Sequence, residues 1–314
     1  MNTPNQQSLW TYDLMWSKAR SYMERALNVP REDDLFPFWS SLALEFLARA
    51  TLARVSPVLL ADASDPDGRN LLHALGLVPK IKNFVPKSTQ TSDVITRCEQ
   101  IVPSFTKELE VFCRGFTNKR NEELHSGGLP FAQLQNQTWL PRFYETAKVL
   151  LDFHGKKLAE FVGVEEAKAA DEMLKAVADE AAKSVQKIIN AHAEVWKAKD
   201  DKEKNTLTDV AKDYARPWRG HVIDCPACGS KALLHGEEIK QNPPVLEDEH
   251  IVIRRIMLPT GLVCKGCGLN VKGHSQLYAA GFGSQFTNTT RYDPVEFYAE
   301  EPEEEYDGPE FNNE

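Results

Sequence analysis

Two short cysteine pairs constrain this 314-residue chain more than any other feature. Cys225-Pro-Ala-Cys228-Gly and Cys264-Lys-Gly-Cys267-Gly enclose 35 residues between them. A two-residue gap lets both thiolates of a pair reach one ion from a tight turn, and Gly229 and Gly268 relieve that turn by admitting positive φ. Four thiolates complete a tetrahedral shell, so the pattern predicts a structural zinc ion with no open position from which to activate water. Cys98 and Cys113 stand alone in helix-like sequence and are expected to be buried thiols.

The paired knuckles, with Pro226 inside the first, resemble a zinc ribbon. That resemblance implies a small β-rich module, residues 216–290, that binds nucleic acid or protein. The run Ile251-Val252-Ile253-Arg254-Arg255-Ile256-Met257-Leu258 has the β-branched composition of ribbon strands. His221, His235 and His274 lie nearby but are surplus to a full ligand set. Lys231, Lys240, Arg254, Arg255, Lys265 and Lys272 would make a basic patch if the strands brought them onto one face.

The rest of the chain reads as helical. Apolar residues at three- and four-residue steps predict helices over about 9–28, 35–56, 93–116 and 141–161. Residues 61–93 read as irregular, with a Ser/Thr-rich loop from Lys87 to Ser92. These helices form one bundle, residues 1–163. Residues 164–215 follow as a helical connector whose seam runs through Met173, Val177, Val185, Ile188 and Val195; it suits pairing with its own copy or folding back on residues 204–214. His192 on that seam is read as a packed side chain. The fold class expected is therefore mainly α: a helical bundle, a long helical segment and a small β-rich zinc unit.

One stretch in the bundle carries chemistry. Thr117-Asn-Lys-Arg120-Asn121-Glu-Glu-Leu-His125-Ser-Gly-Gly128 sets an arginine and a histidine five positions apart, ahead of glycines that should end a helix. A guanidinium grips phosphate oxygens and an imidazole moves protons near neutrality. On one α-helix, however, five residues turn the chain by about 140°. The two side chains converge only if a helix restarts near Asn118, letting Arg120 splay, or if a second copy supplies half the site.

Arg120-Asn121, three residues and His125 resemble the Arg-x4-6-His motif of the HEPN superfamily of all-α ribonucleases. The resemblance implies a homodimer of HEPN-like domains that cuts RNA without a metal by attack of the 2′-hydroxyl, with Arg120, Asn121 and His125 as the catalytic set. HEPN toxins governed by a nucleotidyltransferase carry a tyrosine two positions after the histidine. Gly127 stands there instead, so that mode of control is not expected. Glu45 and Arg49, four apart on the second helix and within or at the edge of its apolar stripe, are read either as an ion pair tying helices together or as groups orienting Arg120 or His125.

A net charge of −9 first argues against RNA, but ten acidic and no basic residues fall between Asp293 and Glu314. Residues 1–292 hold the other 36 acids against all 37 Lys and Arg, a balance of +1. The acidic tail, residues 291–314, is expected to be disordered. Met1 to Ser8 lacks the pattern of a secretory signal and no apolar run reaches membrane-span length, so a cytoplasmic protein with no membrane partner is expected. The composite reading is a dimeric RNA endonuclease, by resemblance a toxin or antiviral-defence effector, whose zinc ribbon holds substrate or a protein partner. Its rival is a non-catalytic dimeric adaptor that binds protein or nucleic acid through the ribbon.

Overall fold

The computed structural model describes residues 9–81 and 83–298, so most of the acidic tail whose disorder was expected lies outside the described residues. The protein is mainly α-helical with a small antiparallel sheet. Its first half contains α1 (Tyr12–Leu27), α2 (Leu35–Val55), α3 (Arg69–Ala74), α4 (Thr91–Ile101), α5 (Lys107–His125), α6 (Asn136–His154) and the one-turn α7 (Ala159–Val162). Helix α2 is the axis of this bundle and packs against α1, α4, α5 and α6. Its Phe36, Leu44, Leu47 and Leu52 are all but inaccessible to solvent.

Two boundaries differ from the sequence pattern. The helix expected over 93–116 breaks at Val102-Pro103-Ser104, because Pro103 brings no N–H to a helical ladder. Thr106 then caps α5, its hydroxyl accepting from the Leu109 amide at 3.4 Å. From there α5 runs unbroken to His125, through Gly115 and Asn118. The restart expected near Asn118 does not occur: the cap is Thr106. Helix α6 starts five residues before Pro141 and stops at Gly155, whose φ of 71° ends it, so Leu158 and Phe161 reach the core from the next turn.

Aromatic packing fixes how α5 lies. The Phe116 ring stacks on Trp139 of α6 with centroids 5.0 Å apart, and Trp139 meets Phe36 of α2 at 5.3 Å. Residues four apart share a helix face, so burying Phe116 turns Arg120 toward α2.

The 34-residue α8 (Val164–Lys197) links the bundle to the sheet. Ala167, Ala170, Met173 and Leu174 join the bundle core, while Val185 and Ile189 join a second core beneath the sheet. Between them Lys175 to Glu180 are all exposed. Of the seam read from the sequence only Met173 and Val185 reach these cores; Val177, Ile188 and Val195 are exposed, because the helix turns Ile189 rather than Ile188 inward, and α9 (Asp201–Tyr214) packs on the sheet.

The sheet comprises β1 (His221–Asp224), β2 (Lys231–Gln241), β3 (Val245–Glu247), β4 (His250–Val263), β5 (Asn270–Lys272) and β6 (Phe286–Tyr292). Its centre is β4, the apolar run seen in sequence, which pairs antiparallel with β2, β3, β5 and β6. Short helices α10 (His274–Ala279) and α11 (Pro294–Tyr298) flank it. Among the described residues no helix is long and apolar enough to cross a membrane.

His154, 8% exposed at the end of α6, bonds Thr51 Oγ1 of α2 at 2.8 Å. Burial, helped by the charges of Arg54 and Lys156, brings its pKa from 6.5 down to about 4. Between those values the unfolded chain binds a proton that the folded chain refuses. Stability should therefore fall as pH drops from about 6.5 to about 4, by up to roughly 3 kcal/mol. Urea midpoints across that window should lose this part of their slope in His154→Gln.

Candidate functional site

Helix α5 places the motif at its exit from the core. Arg120, with 14% of its side chain exposed, donates from Nη2 to Glu45 Oε2 at 2.6 Å. The other oxygen of Glu45 accepts from Arg49 Nε at 2.9 Å and from Thr91 Oγ1 at 2.8 Å. Arg49 reaches on to Ser88 Oγ and to the Thr89 carbonyl, at 3.3 and 3.2 Å. One buried carboxylate thus serves two guanidinium groups and leaves a unit of positive charge over.

Glu45 and Arg49 tie α2 to the start of α4, and Glu45 also bonds Arg120 of α5. Sequence spacing did not show the part of residues 88–91. These read as a plain loop, but they wrap Arg49, and Thr91 begins α4. The signal was there in the Ser/Thr content, since short hydroxyl side chains fit around a buried guanidinium.

Above this cluster opens a polar cleft of about 570 Å³, lined among others by Arg49, Thr91, Arg114, Thr117, Arg120 and Asn121. Arg114 is anchored to Glu110 at 2.7 Å and to Thr96 at 2.6 Å. Burial pushes the Glu110 pKa up, but hydrogen bonds from Lys107 and Arg114 outweigh it and hold the group below its usual range. Three guanidinium groups around an open polar cleft are a surface that suits a polyanion.

His125 is not in the cleft. It lies exposed in the last turn of α5, with no hydrogen bond to any described residue. Because α5 is continuous, the 140° divergence stands. The structure brings Arg120, Asn121, Glu45 and Arg49 together within one chain and leaves His125 outside.

The four cysteines meet as expected. The Sγ atoms of Cys225, Cys228, Cys264 and Cys267 all lie within 4.8 Å of one another. Cys225 to Cys267 and Cys228 to Cys264 are each 3.6 Å, close to the edge of a tetrahedron of thiolates around one ion, about 3.8 Å for bonds of roughly 2.3 Å. Each turn closes with a backbone bond, Gly229 N to Cys225 O at 2.9 Å and Gly268 N to Cys264 O at 3.0 Å, at φ of 73° and 77°. Crowding sets the thiols against one another. The hydrogen bond with Cys264 pushes Cys225 up to about 12, while bonds from Cys225 and Cys267 hold Cys264 far below the usual thiol range. The set fits a metal ion, which would take up that charge.

Among the described residues no histidine joins the four-cysteine group; His221 stacks on Phe286 at 4.8 Å, and His274 bonds the Gly283 carbonyl at 3.2 Å. His192 supports the site from outside, its Nδ1 within 2.8 Å of the Cys267 carbonyl oxygen. Cys98 and Cys113 are buried, and burial pushes both thiols up, Cys113 to about 12.

The basic patch sketched from the sequence does not form on one face. Arg254 and Arg255 are neighbours on β4 and so point to opposite sides. Arg254 pairs with Glu247 at 2.6 Å, Arg255 with Glu238 at 3.2 Å, and Lys231 with Asp224 at 2.6 Å. In comparisons with protein-family models, curated proteins and solved structures, no match to this chain was found.

Elemental analysis of the purified chain should find one metal ion per molecule. Cys228→Ser or Cys267→Ser should lose it and expose amides of β1, β2 and β5 to hydrogen exchange, while α2 and α6 stay protected. Retention of a full equivalent of metal in both variants would count against the four-thiolate site.

Proposed function

We propose that the chain is a metal-independent RNA endonuclease of HEPN type that works as a dimer, with zinc as the structural ion of the four cysteines. The observation that carries the reading is the hold of Glu45 on Arg120 at the wall of an arginine-lined cleft, with Asn121 beside it. A guanidinium fixed in this way is preorganised for a phosphodiester and needs no rearrangement when charge develops on the phosphate oxygens.

The separation of His125 from that cleft is read as the mark of a shared site. In a two-fold dimer built on α5, Arg120 and Asn121 of one protomer would face the partner subunit's His125. The neutral imidazole takes the proton of the RNA 2′-hydroxyl. The 2′-oxygen bonds to phosphorus, the bond to the 5′-oxygen breaks, and a protonated imidazole returns a proton to that leaving oxygen. The products are a 2′,3′-cyclic phosphate and a 5′-hydroxyl. Arg120 neutralises the phosphate throughout. The chemistry resembles that of toxins and antiviral-defence effectors, and free thiols at the zinc site suit a reducing cytoplasm.

RNA digestion in the absence of added magnesium tests this. Arg120→Ala and His125→Ala should each abolish cleavage with zinc content and dimer mass unchanged. Co-refolding the two inactive variants should restore about a quarter of parental activity, since roughly half of randomly paired dimers are mixed and each holds one complete site. Cleavage surviving both substitutions would remove the catalytic assignment. A dimer that never cuts would favour the non-catalytic adaptor.

A further inference from the structure

The stretch leading from α9 into β1, Tyr214-Ala-Arg216-Pro-Trp218-Arg219-Gly220, supplies no metal ligand and no strand. It nevertheless holds Trp218, 76% exposed, whereas the other five tryptophans of the chain are buried or half-buried. An indole left in water by a fold that hides the rest invites an explanation from its neighbours.

Those neighbours form a ladder of rings and cations. The Arg219 guanidinium lies 4.6 Å from the Trp218 ring centroid and 5.4 Å from that of Tyr214. On Tyr214 also rests the ammonium of Lys265, at 5.1 Å. Trp218, Arg219, Tyr214 and Lys265 therefore alternate aromatic and positive groups. Arg216 is neutralised by Asp213 at 2.5 Å, but Arg219, Lys265 and nearby Lys212 have no carboxylate partner among the described residues.

The ladder is built onto the cysteine unit. Lys265 stands inside the second knuckle, between Cys264 and Cys267. Ala211 of α9 is fully buried against that knuckle: a Cβ placed on Gly266 would lie 3.3 Å from the Ala211 methyl and 3.2 Å from Ser230 Oγ. Pro217 opens the 3-10 turn that presents Trp218 and Arg219. The second knuckle, α9 and the aromatic ladder are thus packed against one another.

We propose that Trp218, Arg219, Tyr214 and Lys265 bind single-stranded nucleic acid, one base stacking on the exposed face of Trp218 while Arg219 and Lys265 hold backbone phosphates. Every base has a π-face, so such a platform is tolerant of sequence, and a duplex, whose bases are already stacked, cannot use it. Stacking and phosphate contacts serve ribo- and deoxyribo-strands alike. The RNA identity of the strand rests on the nuclease reading above, and the platform itself does not.

Fluorescence anisotropy on the full chain carrying His125→Ala, which on the nuclease reading prevents cleavage, tests the site with labelled oligouridylate, oligothymidylate, duplex and an oligoglutamate peptide as probes. Trp218→Ala should weaken single-strand binding about tenfold or more, with Trp218→Phe retaining most of it. Arg219→Gln and Lys265→Gln should each flatten the dependence of log K on log salt by about 0.7. Binding of either single strand above the duplex supports the site. Unchanged affinity in Trp218→Ala with zinc retained, preference for duplex, or a loss confined to oligoglutamate overturns it, the last pointing to an acidic protein instead. Binding is read apart from cleavage. A parent that binds strands without cutting them sinks the nuclease and spares the platform; one that cuts while Trp218→Ala binds as tightly as the parent sinks the platform alone.

Discussion

The buried carboxylate of Glu45 is the interaction on which the rest of the bundle's site depends. Two guanidinium groups, from Arg49 on its own helix and Arg120 on α5, converge on its two oxygens. Burying three charges is unfavourable unless each finds its partners, and here Thr91, Ser88 and the Thr89 carbonyl complete the set. Glu45 with its two guanidinium partners leaves one positive charge over. It faces a cleft where Arg114 adds a third guanidinium, so α2, α4 and α5 are held together by a group that still favours an anion.

Helix α5 carries this arrangement in one direction and contacts the sheet unit in the other. Near its start Glu108 accepts from Ser275 of α10 at 2.8 Å, and Arg142 of α6 bridges to the same serine at 3.2 Å. Near its end stand Asn121 and His125. The second link between the units is α8, whose two ends belong to separate cores while its middle crosses solvent. His192 on that helix bonds the Cys267 carbonyl, so the geometry of the cysteine turns is supported from the connector.

Features set by local rules were legible in the sequence. The cysteine turns follow from two-residue gaps and glycines that accept positive φ; the first two helices follow from apolar periodicity and the central strand β4 from β-branched composition. What failed depended on competition between signals. Pro103 and Thr106 set the break that Asn118 had suggested, because a missing N–H together with a capping hydroxyl bears on a helix end more strongly than one asparagine does. The wrapping of residues 88–91 around Arg49, and the ladder from Trp218 to Lys265, join positions some forty or more apart in the chain. No periodicity could show them. The basic patch failed for a simpler reason: adjacent residues on a strand face opposite ways.

The proposed nuclease requires that the arginine cleft of one protomer be completed by the histidine of another. A photo-crosslinking amino acid placed at position 125, in a mixture of isotopically heavy and light chains, tests it directly. Adducts joining a heavy chain to a light one, mapped by mass spectrometry to Ser88–Thr91 or Thr117–Asn121, are the expected result. Adducts confined within one chain, or intermolecular adducts that map away from the cleft, would contradict it.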